Sequence, residues 1–236
     1  MLETRKRARI VAARTLSPSV RSLFFSFPEG PLRFDAGQWL NLYVPTPDGD
    51  QKRAYSIASA PHAETMELAI TLVADGVASP SLHLLEVGSE LWIDGPHGFF
   101  TRDAQSATLP SLYVATGTGL SPLRSMLLAS LQDGRLAPTT LLFGCRSQDD
   151  ILWRDELDQL RSSVPGLRIE VTLSRPDASW QGRTGYVQNH VAELARALGQ
   201  PHVYICGLNH MVSAVRALCK TELAYDRKSI HSERYD

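Results

Sequence analysis

The sequence predicts two domains, an N-terminal antiparallel β-barrel followed by an α/β domain built on a parallel sheet. Three observations predict this. Before about Asp103 the chain carries short β-branched or aromatic runs bounded by Pro, Gly and Asp, and after it strand and helix patterns alternate. The polar stretch Thr101–Thr108 separates these two patterns. The predicted domains are residues 1–103 and 104–236, and a chain of 236 residues is long enough for both.

Short strands account for the first half of the chain. Turn residues punctuate these strands at Pro28–Pro31 and at Pro47–Asp50. A short helix is expected near Ser79. The six predicted strands are Arg7–Arg14, Val20–Phe27, Gln38–Val44, Arg53–Ala58, Glu67–Val73 and Glu90–Ile93.

Alternating elements account for the second half. Such βα units favour a parallel sheet covered by helices on both faces. The predicted strands are Ser111–Ala115, Thr140–Gly144, Arg168–Leu173 and Val203–Cys206, and the predicted helices are Pro122–Gln132, Trp153–Ser163, Val187–Leu198 and Met211–Glu222.

Composition excludes several classes of protein. The 24 basic and 25 acidic side chains give a net charge of −1, which argues against a nucleic-acid binder. The three cysteines are too few and too far apart for a disulfide framework, and the seven histidines lack metal-ligand spacing. No apolar run approaches the roughly 18 residues of a membrane span. A cytoplasmic protein without a metal is therefore expected.

A glycine-rich turn follows the first predicted strand of the second half. Thr116, Gly117, Thr118 and Gly119 lie between that strand and a helix with Pro122 near its start. In this context the backbone can approach a pyrophosphate, and the helix N-terminus supplies free amides. The alternative, a tight turn without a ligand, remains open on this motif alone.

Basic side chains follow the next two predicted strands. Arg146 stands where an acidic residue would bind the ribose of NAD, and Ser174 and Arg175 end the following strand, with Arg183 close by. A guanidinium matches a 2′-phosphate, so these residues favour NADPH over NADH. The alternative is that these arginines are ordinary surface residues.

Three further motifs carry a family resemblance. The chain has an RxYS sequence in Arg53–Ser59, a GPxGxF sequence in Gly95–Phe100 and a CG motif in Tyr204–Val212. In this order they resemble the ferredoxin-NADP reductase superfamily over nearly the whole chain. The resemblance implies a six-stranded Greek-key barrel that binds flavin and a Rossmann-like domain that binds the nicotinamide nucleotide.

The resemblance assigns the RxYS segment to the flavin. Arg53 would bind a phosphate, Tyr55 would face the ring and Ser56 would donate near N5, with Ile57 completing the segment. Strand alternation places Ser56 on the face opposite to Arg53 and Tyr55, so a twist or bulge is expected there. An ordinary barrel strand with an exposed arginine is the alternative.

A second segment distinguishes between flavins. The family's GxxS sequence would hold a pyrophosphate, which favours FAD over FMN. Independently of the family, the sequence predicts that Ser79 is a helix N-cap followed by a proline in the first helical position. The matching residues are Gly76, Val77, Ala78 and Ser79.

The resemblance also names catalytic residues. Cys206, followed by Gly207, would lie beside the reacting nicotinamide carbon, and Glu233 would lie near flavin N5. Tyr235 would cover the flavin until nicotinamide displaces it, although Asp236 extends this tail by one residue relative to the family. A buried core thiol remains the alternative for Cys206.

The implied reaction is hydride transfer from NAD(P)H to FAD, followed by single-electron transfer to a separate ferredoxin, flavodoxin or oxygenase component. With three cysteines the chain cannot bind a plant-type iron-sulfur cluster itself. An acidic carrier is expected to dock on the basic strand around Arg7 and Arg9 and on the Arg53 edge. The alternatives are a flavin reductase that releases its product, a regulatory module without turnover, and the reductase subunit of a larger complex.

Overall fold

The structure is a computed structural model that describes residues 5–46 and 49–235. The chain forms two six-stranded sheets, the first antiparallel and the second parallel and flanked by helices, which confirms the predicted fold class. The predicted boundary at residue 103 lies between the sheets and stays a prediction. The turn predicted at Pro47–Asp50 falls partly outside the described residues, and Asp236 falls outside them.

The barrel strands pair in the order β4-β3-β6-β1-β2-β5. This non-sequential order is typical of a Greek key. An antiparallel bridge between Ile57 and Leu68 joins the two edge strands and closes the sheet around an apolar core. The strands are β1 Lys6–Ser17, β2 Val20–Ser26, β3 Trp39–Val44, β4 Gln51–Ser56, β5 Met66–Thr71 and β6 Glu90–His97, with helix α1 at Ser79–Leu84.

The parallel sheet has the order β10-β9-β8-β7-β11-β12 and buries apolar side chains on both faces. Its carboxyl ends face the barrel across a cleft, the usual position for a ligand in this type of sheet. The elements are β7 Ser111–Thr116, α2 Leu120–Gln132, β8 Thr139–Cys145, α3 Arg154–Ser163, β9 Leu167–Leu173, β10 Arg183–Thr184, α4 Gln188–Ala197, β11 His202–Leu208, α5 Asn209–Thr221 and β12 Ile230–Tyr235.

Two strands of this sheet are absent from the sequence-based prediction. Strands β10 and β12 lie at the two edges, where a strand is not covered by neighbours on both sides. Only Ile230 of β12 is buried, so the segment lacks the continuous apolar run of an inner parallel strand. The C-terminal residues are therefore a strand of the sheet, paired in parallel with β11.

No helix in the described ranges is long and apolar enough to cross a membrane. Cys145, Cys206 and Cys219 are free thiols.

A buried carboxylate stabilises the barrel. Burial alone would raise the pKa of Asp94, but hydrogen bonds from Asn41, Tyr43 and His97, together with Lys52 at 3.0 Å, hold it well below its usual range. A carboxylate with a lowered pKa contributes stability that is present above its unfolded pKa of about 3.9 and is lost as the pH falls through the folded value. We expect the free energy of unfolding to fall below about pH 4, and to fall less steeply in Asp94→Asn. Urea denaturation at several pH values measures this, and identical pH slopes for the two proteins would contradict it.

Candidate active site

A cleft of about 1340 Å³ separates the barrel from the parallel sheet. Both halves of the chain line it, and most of the residues predicted for the site meet there. The predicted residues on the lining are Arg53, Tyr55, Ser56, Gly76, Val77, Ala78, Ser79, Thr116, Gly117, Thr118, Arg146, Ser174, Glu233 and Tyr235.

A hydrogen bond joins the two halves inside the cleft. The hydroxyl of Ser56, at the end of β4, donates to Oε1 of Glu233 on β12 over 2.9 Å. Burial raises the pKa of Glu233 above its ordinary value, and the Ser56 hydrogen bond opposes that shift only in part. The carboxyl group can therefore keep a proton at a higher pH than an exposed glutamate can.

The C-terminal strand also covers the thiol of the CG motif. Cys206 is fully buried and pairs with Glu233 in the β11–β12 register. Burial, and secondarily the charge of Glu233, raise the pKa of this thiol well above its ordinary value, so Cys206 is a neutral thiol. The hydroxyl of Tyr235 is buried and lies next to Ser56 and Cys206.

The glycine turn packs tightly against the CG motif. A Cβ on Gly119 would lie 2.3 Å from the carbonyl oxygen of Cys206, and a Cβ on Gly207 would lie 2.3 Å from Oγ1 of Thr116. Gly117, with φ of +53°, faces open space instead. The turn therefore presents backbone to the cleft at Gly117 while Gly119 lets two backbone segments touch.

Two hydroxyls at this turn fit a phosphate ligand. Oγ1 of Thr116 and Oγ of Ser121 are buried and have no partner within the described part of the chain. Buried hydroxyls normally have one. Pro122 lies in the first turn of α2, buried and outside the cleft lining, where its missing N–H costs no helix hydrogen bond.

The Gly76–Ser79 segment differs from its prediction in one detail. The residue that caps helix α1 is Ala78, and Ser79 is the first helical residue. The Ser79 hydroxyl accepts a hydrogen bond from the backbone N–H of Val73 over 2.9 Å, so it closes the preceding loop instead of capping the helix. The loop still lies on the cleft wall, as the FAD prediction requires.

The RxYS segment reaches the cleft without the expected bulge. The β3–β4 pairing runs through Ser56 without a register shift. Because β4 is an edge strand that ends at Ser56, side chains from both of its faces reach the cleft. Burial raises the pKa of Tyr55 to about 12, with Arg53 opposing the shift. Ile57 is fully buried in the barrel core, outside the cleft lining.

The four residues predicted to recognise a 2′-phosphate separate into two groups. Arg146 and Ser174 line the cleft, whereas Arg175 and Arg183 lie outside its lining. The Arg183 guanidinium donates to both carboxylate oxygens of Glu193, at 2.8 and 2.7 Å, and to Glu170 at 3.0 Å. Its charge is therefore already paired within the α/β domain.

Two aromatic residues of the cleft are missing from the sequence-based prediction. Trp39 lines the cleft because it pairs with Ser56 across β3 and β4. Tyr186 also lines it and is 64% exposed. Strand register, which the sequence does not display, brings Trp39 there. A tyrosine that directly follows Gly185, just before a predicted helix, was the available signal for Tyr186.

Comparisons with known proteins agree with this arrangement. A family described as the oxidoreductase FAD-binding domain matches residues 7–101, and one described as the oxidoreductase NAD-binding domain matches residues 113–217. Over 97% of both chains, the sequence is 54% identical to ferredoxin--NADP reductase B of Sorangium cellulosum. The chain belongs to the ferredoxin-NADP reductase superfamily. It is an oxidoreductase whose two halves bind FAD and NAD(P)H.

Some of the proteins that this chain resembles are longer than it is. The chain is 32% identical to the phenol hydroxylase P5 protein of Acinetobacter pittii, over 97% of this chain and 65% of that protein. A solved ferredoxin reductase of carbazole 1,9a-dioxygenase has a TM-score of 0.84 at 25% identity and covers 99% of this chain and 70% of its own. The CS-b5R domains of human Ncb5or share the fold, with a TM-score of 0.87 at 22% identity over 97% of this chain and 69% of theirs.

Proposed function

We propose that this reductase transfers a hydride from NADPH to FAD, and that it uses NADPH in preference to NADH. It then passes single electrons from the reduced FAD to a separate ferredoxin, flavodoxin or oxygenase component. The Ser56–Glu233 hydrogen bond supports this proposal most directly, because it joins the FAD-binding half to the NAD-binding half inside one cleft. The relative that is 54% identical is a ferredoxin--NADP reductase, and another relative is the reductase component of a phenol 2-monooxygenase. Bound FAD supplies a group that accepts two electrons as a hydride and releases both of them one at a time.

The chain's own residues then have distinct tasks. The Ser56 hydroxyl donates its one proton to Glu233 in this structure; with FAD bound, that proton would turn to the reacting edge of the flavin and the hydroxyl oxygen would accept from the Glu233 carboxyl group. Glu233, whose pKa is raised by burial, is positioned to take up or release a proton at that point. Tyr235, on the cleft lining, covers the flavin until nicotinamide displaces it. Arg53 and Tyr55, with the Gly76–Ser79 loop, bind the flavin. The rate then depends mainly on the orientation of two rings held in contact.

Anaerobic rapid mixing tests the proposal. The FAD-loaded protein is mixed separately with NADPH and with NADH, and bleaching of the flavin absorbance is followed. We expect rapid bleaching by NADPH, slower bleaching by NADH, and reoxidation when an oxidised ferredoxin is added. A protein that does not take up FAD, or whose FAD neither nucleotide bleaches, would contradict the proposal.

Arg146 is expected to determine the nucleotide preference. Three arginines, Arg146, Arg175 and Arg183, were predicted to recognise the 2′-phosphate. Of these, only Arg146 lies on the cleft lining among the described residues. Replacing Arg146 by Glu removes a charge-assisted hydrogen bond worth about 1.5–3 kcal/mol, so kcat/KM for NADPH should fall about 10- to 100-fold while that for NADH changes little. Arg175→Glu, an equal change of charge outside the lining, is the control. An equal loss with both nucleotides would show that Arg146 does not bind the 2′-phosphate.

The basic first strand is expected to attract the electron carrier. Arg7 and Arg9 are exposed on β1, and the Arg7 guanidinium lies 5.3 Å from the ring centroid of Trp92, which is itself 42% exposed. The double variant Arg7→Glu/Arg9→Glu should slow reduction of an acidic ferredoxin about tenfold at low salt and less at high salt. Reduction of ferricyanide by NADPH is the control. Unchanged ferredoxin reduction at low salt would rule out this docking face.

A second candidate function is supported by the relatives that belong to oxygenase systems, in which this chain would be the reductase subunit of a larger complex. Co-purification with a stoichiometric partner would favour it.

A flavin reductase that releases its product is the other alternative, and such a protein would lose its yellow colour on dialysis. The cytoplasmic location stays a prediction.

A further inference from the structure

A buried ion cluster crosses the boundary between the two domains. Glu67 on β5 of the barrel accepts a hydrogen bond from the guanidinium of Arg124 on α2 over 3.0 Å. Both residues are buried, at 2% and 6% exposure. Ser22 and Arg14 of the barrel and Trp153 of the α/β domain also donate to Glu67, so its carboxylate is fully engaged.

The cluster attaches to the two segments that form the site. Arg124 donates to the carbonyl oxygen of Ala58 over 2.7 Å, and Ser125 donates to that of Ser59 over 2.7 Å. These carbonyls belong to the RxYS segment, Arg53–Ser59, two and three residues after Ser56. This stretch is called the Ser56 segment below. On the other side, Arg124 lies in α2, the helix that begins at the end of the Gly117–Gly119 turn.

Arg124 also has a carboxylate partner within its own domain. Glu156 on α3 accepts from Arg124 at both oxygens, each over 2.6 Å. This two-point pair lies within the α/β domain, whereas the Nη1 atom of Arg124 donates to Glu67 and Ala58 of the barrel. A buried ion pair contributes little net stability compared with apolar packing, whereas the Nη1 hydrogen bonds to Glu67 and Ala58 impose a direction and a distance on the two domains that they join.

We propose that Arg124 and Glu67 are positioning residues that set the separation between the Ser56 segment and the glycine turn, and hence between the two rings that exchange hydride. The inference rests on the proposed function. It predicts that weakening the contact between the domains slows hydride transfer without weakening the binding of either cofactor. The matching contact within one domain, between Arg124 and Glu156, should not have this effect.

The test compares Glu67→Gln with Glu156→Gln, which make the same chemical change on opposite sides of one guanidinium. Rapid mixing of the FAD-loaded proteins with increasing NADPH separates the limiting rate of flavin bleaching from the Kd of NADPH. For Glu67→Gln we expect the limiting rate to fall about 10- to 100-fold, with the Kd values of NADPH and FAD within about twofold of wild type. For Glu156→Gln we expect a rate within about twofold of wild type.

Hydrogen–deuterium exchange of the apoproteins gives a second readout that needs no activity. Exchange at residues 57–60 and at the start of α2 should increase in Glu67→Gln and remain unchanged in Glu156→Gln. If Glu67→Gln does not fold, Arg124→Lys replaces it, because lysine keeps the charge but cannot bind two carboxylates as a fork. We expect the same loss of rate in that variant.

Two results would overturn the inference: a wild-type rate in a folded Glu67→Gln or Arg124→Lys protein, or an equal loss of rate in Glu156→Gln. Failure of the proposed function looks different. In that case the wild-type protein itself would not be bleached, while the exchange comparison would still report whether the cluster holds the domains together.

Discussion

Replacing Ser56 by Ala is expected to lower the limiting rate of flavin bleaching by NADPH about 100-fold, because one preorganised donor at the reacting atoms is typically worth 10²–10³ in rate. The same change removes the one side-chain hydrogen bond to the Glu233 carboxylate among the described residues. Since that bond opposes the effect of burial, the pKa of Glu233 should rise further in the variant. Rapid mixing over a range of pH measures both effects.

Ser56→Thr is the matched control because it keeps the hydroxyl on the same backbone. We expect it to recover most of the wild-type rate. In the pH profile, the step assigned to Glu233 should lie above the ordinary glutamate pKa of about 4.3 and should disappear in Glu233→Gln. A Ser56→Ala protein that binds FAD normally and is bleached at the wild-type rate would remove Ser56 from the mechanism.

Replacing Gly119 by Ala is expected to destabilise the α/β domain by about 3 kcal/mol and to abolish nucleotide binding. The new Cβ would lie 2.3 Å from the carbonyl oxygen and 2.5 Å from the carbonyl carbon of Cys206. These are backbone atoms of an inner strand, so the clash can be relieved only by separating the glycine turn from β11. Urea denaturation and nucleotide titration of the holoenzyme measure the two effects.

Gly134→Ala controls for the general effect of replacing a glycine. Gly134 has a φ of +62° and nothing near the position of a Cβ, so the cost there is the left-handed conformation alone, about 1 kcal/mol. We expect NADPH to bind Gly134→Ala as it binds the wild-type protein. A loss of stability at Gly119 no larger than at Gly134 would show that the turn can move away from Cys206.

Local pattern was enough to predict most of the fold. The RxYS segment, the glycine turn and the CG motif are each contiguous in the sequence, and each lies at a strand end where a cofactor could reach it. The helices are amphipathic and the inner strands are apolar, so their periodicity shows in the sequence. Strand β12 was missed because it is a half-buried edge strand with a polar sequence.

Individual side chains within the site were harder to predict. The sequence places Arg183 close to a strand end that could bind a 2′-phosphate, but its guanidinium already donates hydrogen bonds to Glu170 and Glu193. Ser79 has the residue type of a helix cap, but its hydroxyl binds Val73 in the preceding loop. In each case a neighbour in space satisfies a group that the sequence leaves free.

The sequence by itself determined the order of the two domains, the class of each sheet and the segments able to bind a flavin and a nicotinamide nucleotide, because each of these depends on residues close together along the chain. Only the tertiary structure decided that Glu233 meets Ser56 and that Arg124 meets Glu67. These partners are far apart in the sequence. Their meeting depends on strand register and on how the domains pack, and hydrophobic periodicity encodes neither of these.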